Sequence, residues 1–197
     1  MKEHCYVKLS AEVSREPFEA VKNSDYTIYE SHVEFKRLSG KVDKAVLNIK
    51  EIPLNGVKAG DKVSLDGTLR TYKLADGKSN TVILVYNITK DDGGDYVNNV
   101  DIVGRIVSTR LTKNSGGTAV CEARVEVKCG YNKMSRMTVV GWGVTATKLS
   151  ELKEGARVKI IGRLQSRHMA EKDDDSEALE IAIKSLEVVG EDNESEV

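Results

Sequence analysis

Proline is almost missing from this 197-residue chain: Pro17 and Pro53 are the only two. Its scarcity favours long extended segments, because proline cannot donate to a sheet ladder. Cysteine is scarce as well. Cys5, Cys121 and Cys129 are odd in number and lack the close paired spacing of a zinc ribbon or knuckle, so disulfide and zinc frameworks are disfavoured. They read as reduced core or near-surface thiols. His4, His32 and His168 fall on separate segments and suggest no metal or catalytic cluster. No apolar run approaches the length of a membrane span, and the start, MKEHCYVKLS, alternates where a signal peptide would be continuously apolar. A cytoplasmic protein with no membrane partner is expected. Also lacking are a glycine-rich phosphate loop before a helix, a G-x-S-x-G nucleophile motif and any His/Cys/carboxylate constellation. The expectation is a non-enzymatic protein without a cofactor.

Net charge is nearly absent too, at -1, which looks unpromising for a protein that neutralises phosphates. Its distribution matters more than its sum. Asp173, Asp174 and Asp175 form one acidic loop, and Glu191, Asp192, Glu194 and Glu196 crowd the last seven residues. Setting those seven negative charges aside leaves about +6 on the remainder. Residues 191–197, acidic and almost without apolar side chains, are expected to be a disordered tail that competes for the basic body.

What is plentiful is alternation of β-branched with polar residues, which makes the chain all-β. Strands are expected near Tyr6 to Ser14, Tyr26 to Arg37, Asp43 to Lys50, Lys62 to Lys73 and Asn80 to Lys90. After a polar break at Asp91-Asp92-Gly93-Gly94-Asp95, five more are expected: Asn99 to Thr109, Thr118 to Gly130, Arg136 to Trp142, Ala156 to Met169 and Ala178 to Val189. The break reads as a linker, since no glutamate closes a calcium loop. Two domains follow, over residues 1–92 and 96–190.

The halves resemble each other. KAGDKVSLDGTL, from Lys58 to Leu69, lies over KEGARVKIIGRL, from Lys153 to Leu164, with Lys, Gly, Val, Gly and Leu in matching places. Nearly the same offset carries Val7, Leu9, Ala11 and Val13 onto Val100, Ile102, Gly104 and Ile106. Thr145 to Lys153, with Leu149 and Leu152 three apart, predicts a short helix in the second half; Ile52 to Gly60, with Pro53 and Gly56, predicts a loop in the first. Five strands with a helix after the third is the plan of the OB-fold, a five-stranded Greek-key barrel. Two in tandem are expected.

The second half, NNVDIVGRIVSTRLTKNSGGTAVCEARVEV followed by MTVVGWGVTATKLSELKEGARVKIIGRLQSR, resembles the bacterial single-stranded-DNA-binding protein family. Its landmarks are Asn99 and Gly104, the run Gly117 to Val120, Trp142-Gly143, and Gly155 through Arg167. VEFKRLSGKVDKAVLNI and GDKVSLDGTLRTY in the first half resemble the amino-terminal barrel of double-OB members of that family from bacteria and phages. The resemblance implies binding of single-stranded DNA in replication, recombination or repair, base stacking at Trp142 with Tyr131 near a second stacking position, and assembly of two chains into a homodimer displaying four barrels. Two further aromatic positions of the family are replaced here by Arg136 and Met169. The tail resembles the family's segment for recruiting replication or repair proteins, but ESEV lacks its Pro-Phe-type ending.

Read from the residues, the segment from Ala156 places Val158, Ile160, Gly162 and Leu164 on one face and Lys159, Ile161, Arg163, Gln165 and Arg167 on the other, a basic track if the apolar row faces inward. Arg105, Arg124 and Lys128 add charge to the same barrel. In the first half, Lys36, Arg37, Lys41 and Lys44 frame the turn between the second and third strands, with Arg70 and Tyr72 on the fourth. That barrel fits DNA clamping and dimerisation equally. The residues leave a strand-coating DNA binder, an OB-type adaptor of a replication or restart complex and an RNA binder all open.

Overall fold

A computed structural model of the chain describes residues 1–22, 24–37, 39–50, 56–73, 79–91, 93–128, 133–168 and 177–190. Ten strands run in the order β1 (His4–Lys22), β2 (Thr27–Lys36), β3 (Val42–Lys50), β4 (Lys62–Lys73), β5 (Ser79–Lys90), β6 (Asn98–Lys113), β7 (Ala119–Lys128), β8 (Met134–Trp142), β9 (Arg157–His168) and β10 (Glu177–Val188). Helix α1 (Val144–Ser150) lies between β8 and β9. It is the single helix among the described residues, none of which is long and apolar enough to cross a membrane. The first half's residues 51–55, where a loop is expected, lie outside the described residues.

Each set of five strands closes on itself. In the first, β1 pairs antiparallel with β2 and β4, β2 with β3, and β4 with β5, while β3 runs parallel to β5. In the second, β6 pairs antiparallel with β7 and β9, and β7 with β8. There β10 runs parallel to β8 and lies beside β9. These are two OB-type barrels of one topology. The alternation puts Leu9, Leu47, Leu65 and Ile83 wholly inside the first and Ile102, Val125, Val139 and Ile160 wholly inside the second. Helix α1 adds Ala146 and Leu149 to the second core, and each fully buried leucine contributes about 2 kcal/mol.

The duplication is visible in individual hydrogen bonds. Gly60 donates to the Val13 carbonyl at 2.8 Å, as Gly155 does to that of Ile106 at 2.8 Å. Val13 and Ile106 each donate back at 2.9 Å, to Asp61 and Ala156. Gly60 and Gly155 both need positive φ, 86° and 82°, which an L side chain rarely adopts. Gly67 and Gly162 are also equivalent, because a Cβ on either would lie 2.5 or 2.6 Å from a carbonyl oxygen of the neighbouring strand.

Two strands outrun expectation. Strand β1 continues past Ser14 through Pro17 to Lys22, because register shifts between Val13, Arg15 and Phe18 place the proline in a bulge, where its missing N–H costs no ladder bond. Strand β6 continues past Thr109, through the pairs Arg110 with Glu122 and Thr112 with Val120. The break after β5 begins with an Asx turn: the N–H groups of Gly94 and Gly93 donate to the Asp91 carboxylate at 2.8 and 3.1 Å, holding its pKa below the ordinary value.

By compactness the chain divides into two units that exchange short segments. One comprises Tyr6–Asn99 with Leu164–Glu180, the other Met1–Cys5, Val100–Arg163 and Ile181–Val197. Within the first unit the end of β9 is held by a buried carboxylate: Asp43, with no exposed surface, accepts from Arg37 Nε at 2.6 Å, Arg37 Nη2 at 2.7 Å and the Ser166 N–H at 2.9 Å. Gln165, also on β9, donates to Glu180 of β10 at 2.6 Å.

Candidate nucleic-acid interface

On paired antiparallel strands, residues opposite each other project from the same side, so register alone assembles a surface. The outer side of β6, β7 and β8 is built in rows. Thr112, Val120 and Trp142 form the first, Arg110, Glu122 and Val140 the second, and Ser108, Arg124 and Thr138 the third. Arg105, Glu126 and Arg136 follow, and Lys128 opposite Met134 ends the face. Trp142, Arg124, Lys128, Arg136 and Arg105, which the sequence singles out separately, thus share one sheet. Arg110 joins them, missed because the strand carrying it runs longer than its polar sequence suggests. From Trp142 to Arg136 is six residues of strand, about 20 Å.

Trp142 keeps 48% of its surface exposed, a large apolar area for a residue ending a strand. The two glycines flanking it shape the strand end and the turn into α1. Gly141 is buried, and a Cβ there would lie 3.2 Å from the Ala146 nitrogen and from Thr145, so its absence lets α1 pack against β8. Gly143 has φ of 57° and forms the tight turn into α1, donating to the Ala119 carbonyl at 2.8 Å. These turns hold the indole at the rim.

The cations differ in their surroundings. Arg136 Nε donates to Glu126 at 2.7 Å while its side chain remains 64% exposed. Arg105 meets Glu3 at 3.3 Å and the Gly155 carbonyl at 3.3 Å. Arg124 and Lys128 are exposed. On β9 the expected alternation holds: Val158, Ile160, Gly162 and Leu164 are buried, while Lys159, Ile161 and Arg163 are half-buried on the outer side. That strand borders β6 and β10, so Lys159 and Arg163 lie on the other side of β6 from the Trp142 face. Gln165 departs from the outer row and is buried against Glu180. Arg167 remains exposed, 3.8 Å from Glu180.

In the first barrel, Arg37 turns inward to Asp43 and also donates to the Ser166 carbonyl at 2.9 Å. It is therefore not an open clamp. Lys36 is exposed beside a cavity of about 310 Å³ lined also by Glu12, Glu34, Lys62 and Tyr96. Tyr72 is 46% exposed opposite Asn80, and Arg70 is half-buried opposite Val82. Cys5 and Cys121 are buried free thiols, and burial raises the Cys121 pKa, which suppresses the reactive thiolate. Tyr131, Cys129, Met169, Asp173, Asp174, Asp175 and the tail 191–197 lie outside the described residues.

Residues 97–189 match the profile described as "Single-strand binding protein family". The second half of the chain is similar to the single-strand binding protein family. Over the whole chain the fold is that of the wild-type single-stranded DNA binding protein from Thermus aquaticus, with a TM-score of 0.79 and 18% identity, covering 97% of this chain and 95% of that one. A deletion mutant of the same Thermus aquaticus protein gives a TM-score of 0.78 at 19% identity, covering 100% of this chain and 99% of the other. No curated protein matches the sequence. The first half, outside the family profile, thus shares its OB-type architecture with a single-strand binding protein along its full length.

Proposed function

We propose that the protein coats single-stranded DNA in replication, recombination or repair, with the β6–β7–β8 face as its principal contact. The carrying observation is a half-exposed tryptophan at one end of a sheet face whose register brings together Arg110, Arg124, Arg136 and Lys128. Bases stack on the indole, which accepts any base, and the cations meet phosphates at the spacing of the strands. Lys159 and Arg163 on β9 are further contacts of the second barrel, and Lys36, Arg70 and Tyr72 are contacts of the first. Tyr131 belongs to the same proposal. Among the described residues no groove-reading element accompanies this face, since α1 has seven residues and buries Ala146 and Leu149 against the barrel. Binding is therefore insensitive to sequence.

A titration with oligothymidine over a salt series tests this. Arg124→Ala is expected to weaken binding similarly for different base compositions and to lower the slope of log K against log salt by about 0.7, the value for one lost phosphate contact on a single strand. An unchanged slope would remove Arg124 from the contact.

The proposal includes a homodimer, motivated by family members that assemble four barrels. Both five-stranded sets here close on themselves through the pairings β2–β1 and β6–β9, so such a dimer rests on barrel surfaces and needs no open strand edge. Sedimentation equilibrium at micromolar protein should give twice the 21.7 kDa chain mass, and a monomer would refute it.

A further inference from the structure

We propose that the Arg105 guanidinium and the Lys128 backbone N–H form a phosphate site, which the free protein fills with its own Glu3 carboxylate. This rests on the reading of the β6–β7–β8 face as a single-strand contact. Glu3 belongs to the segment Met1–Cys5, which clusters with the second barrel. One of its carboxylate oxygens lies 3.3 Å from Arg105 Nε, and the other accepts from the Lys128 N–H at 3.0 Å. Two donors from neighbouring strands therefore converge on two oxygens of one anionic group. The unesterified oxygens of a phosphodiester have nearly the same bite. An arginine fork beside a main-chain amide is how proteins commonly hold such a group.

Location argues for the same ligand. Arg105 stands in one row with Glu126 and Arg136, so a strand of DNA followed down β8 from Trp142 arrives at this position. The guanidinium is preset, because Nη1 also donates to the Gly155 carbonyl at 3.3 Å. The pair is open to water on one side: the Arg105 side chain is 42% exposed and that of Glu3 19%. An ion pair this exposed is weak, and a polyanion can displace it without disturbing the ladder beneath. The next residue, His4, has Nε2 3.2 Å from Asp101, which keeps the segment nearby when the carboxylate leaves. Glu3 is thus a built-in competitor at the end of the basic face. It sets a lower affinity than the same donors would give alone.

The test uses the full chain with Glu3→Gln, in which the amide oxygen still accepts from the Lys128 N–H, together with Arg105→Gln, the double variant and Glu187→Gln, an exposed carboxylate on β10. Oligothymidine should bind Glu3→Gln about two- to fivefold more tightly than the parent at low salt, the range of an exposed ion pair. That gain should disappear in the Arg105→Gln background and should exceed the gain from Glu187→Gln. Equal affinity of Glu3→Gln and parent, a gain that survives without Arg105, or an equal gain from Glu187→Gln would overturn the proposal. If the parent itself binds no oligothymidine, the functional reading fails, and pyrophosphate still tests the site. It should shift the Lys128 amide resonance in Glu3→Gln and leave it unmoved in the double variant; no shift in Glu3→Gln would overturn the site as well.

Discussion

Trp142→Ala is expected to weaken binding of oligothymidine by roughly 1 to 3 kcal/mol, about 5- to 150-fold, while the protein stays folded. Both parts follow from where the indole sits. Its exposed 48% leaves little of the core to lose, and the elements that shape the rim are Gly141, Gly143 and α1, which the substitution does not touch. A base stacked on the indole removes apolar surface from water on both partners, and no other tryptophan replaces it. Because the loss concerns stacking, the salt dependence should stay near that of the parent, unlike that of Arg124→Ala. Fluorescence anisotropy of a labelled oligothymidine measures the affinity, and circular dichroism the fold. A folded variant that binds as tightly as the parent would place Trp142 outside the site.

The largest effect on stability is expected from Asp43→Ala, at about 3 to 5 kcal/mol. The carboxylate has no exposed surface and accepts from Arg37 and from the Ser166 N–H and hydroxyl, so its removal leaves a largely buried guanidinium and two donors without their acceptor. Asp43→Asn, which keeps the shape and loses the charge, should also destabilise, because it leaves the same cation uncompensated. Urea unfolding followed by far-ultraviolet circular dichroism reads the first unit's transition. Trp142 fluorescence, in the other unit, should shift less. Coincident transitions for Asp43→Ala and the parent would show that the buried pair contributes no net stability.

The barrels were legible because their signals are local. Alternation located every strand, and the paired sequences around Gly60 and Gly155 pointed to a duplication, which the structure carries into two backbone turns with matching hydrogen bonds. The inward row of β9 followed from period two alone. Misjudged points all depend on partners distant in sequence. The first strand was expected to end at Ser14, yet the register with β2 carries it past Pro17 in a bulge. Arg37 counted as surface charge, since nothing beside it announces that Asp43 faces inward toward Ser166, 123 residues further on. Arg110 was overlooked because a hairpin extended by cross-strand pairing is indistinguishable, residue by residue, from a polar loop. The competition between Glu3 and a phosphate at Arg105 was equally invisible, for the two are brought together only by the fold.

The open β6–β7–β8 face should prefer single strands to duplex. The most direct test is a titration of the parent with oligothymidine, followed by Trp142 fluorescence at several salt concentrations, with duplex DNA of equal length as competitor. Saturable quenching is expected, with an affinity that falls linearly in log salt and a duplex that competes much more weakly. Equal competition by duplex, or an affinity indifferent to salt, would contradict a face built from one stacking indole and a row of phosphate-binding cations.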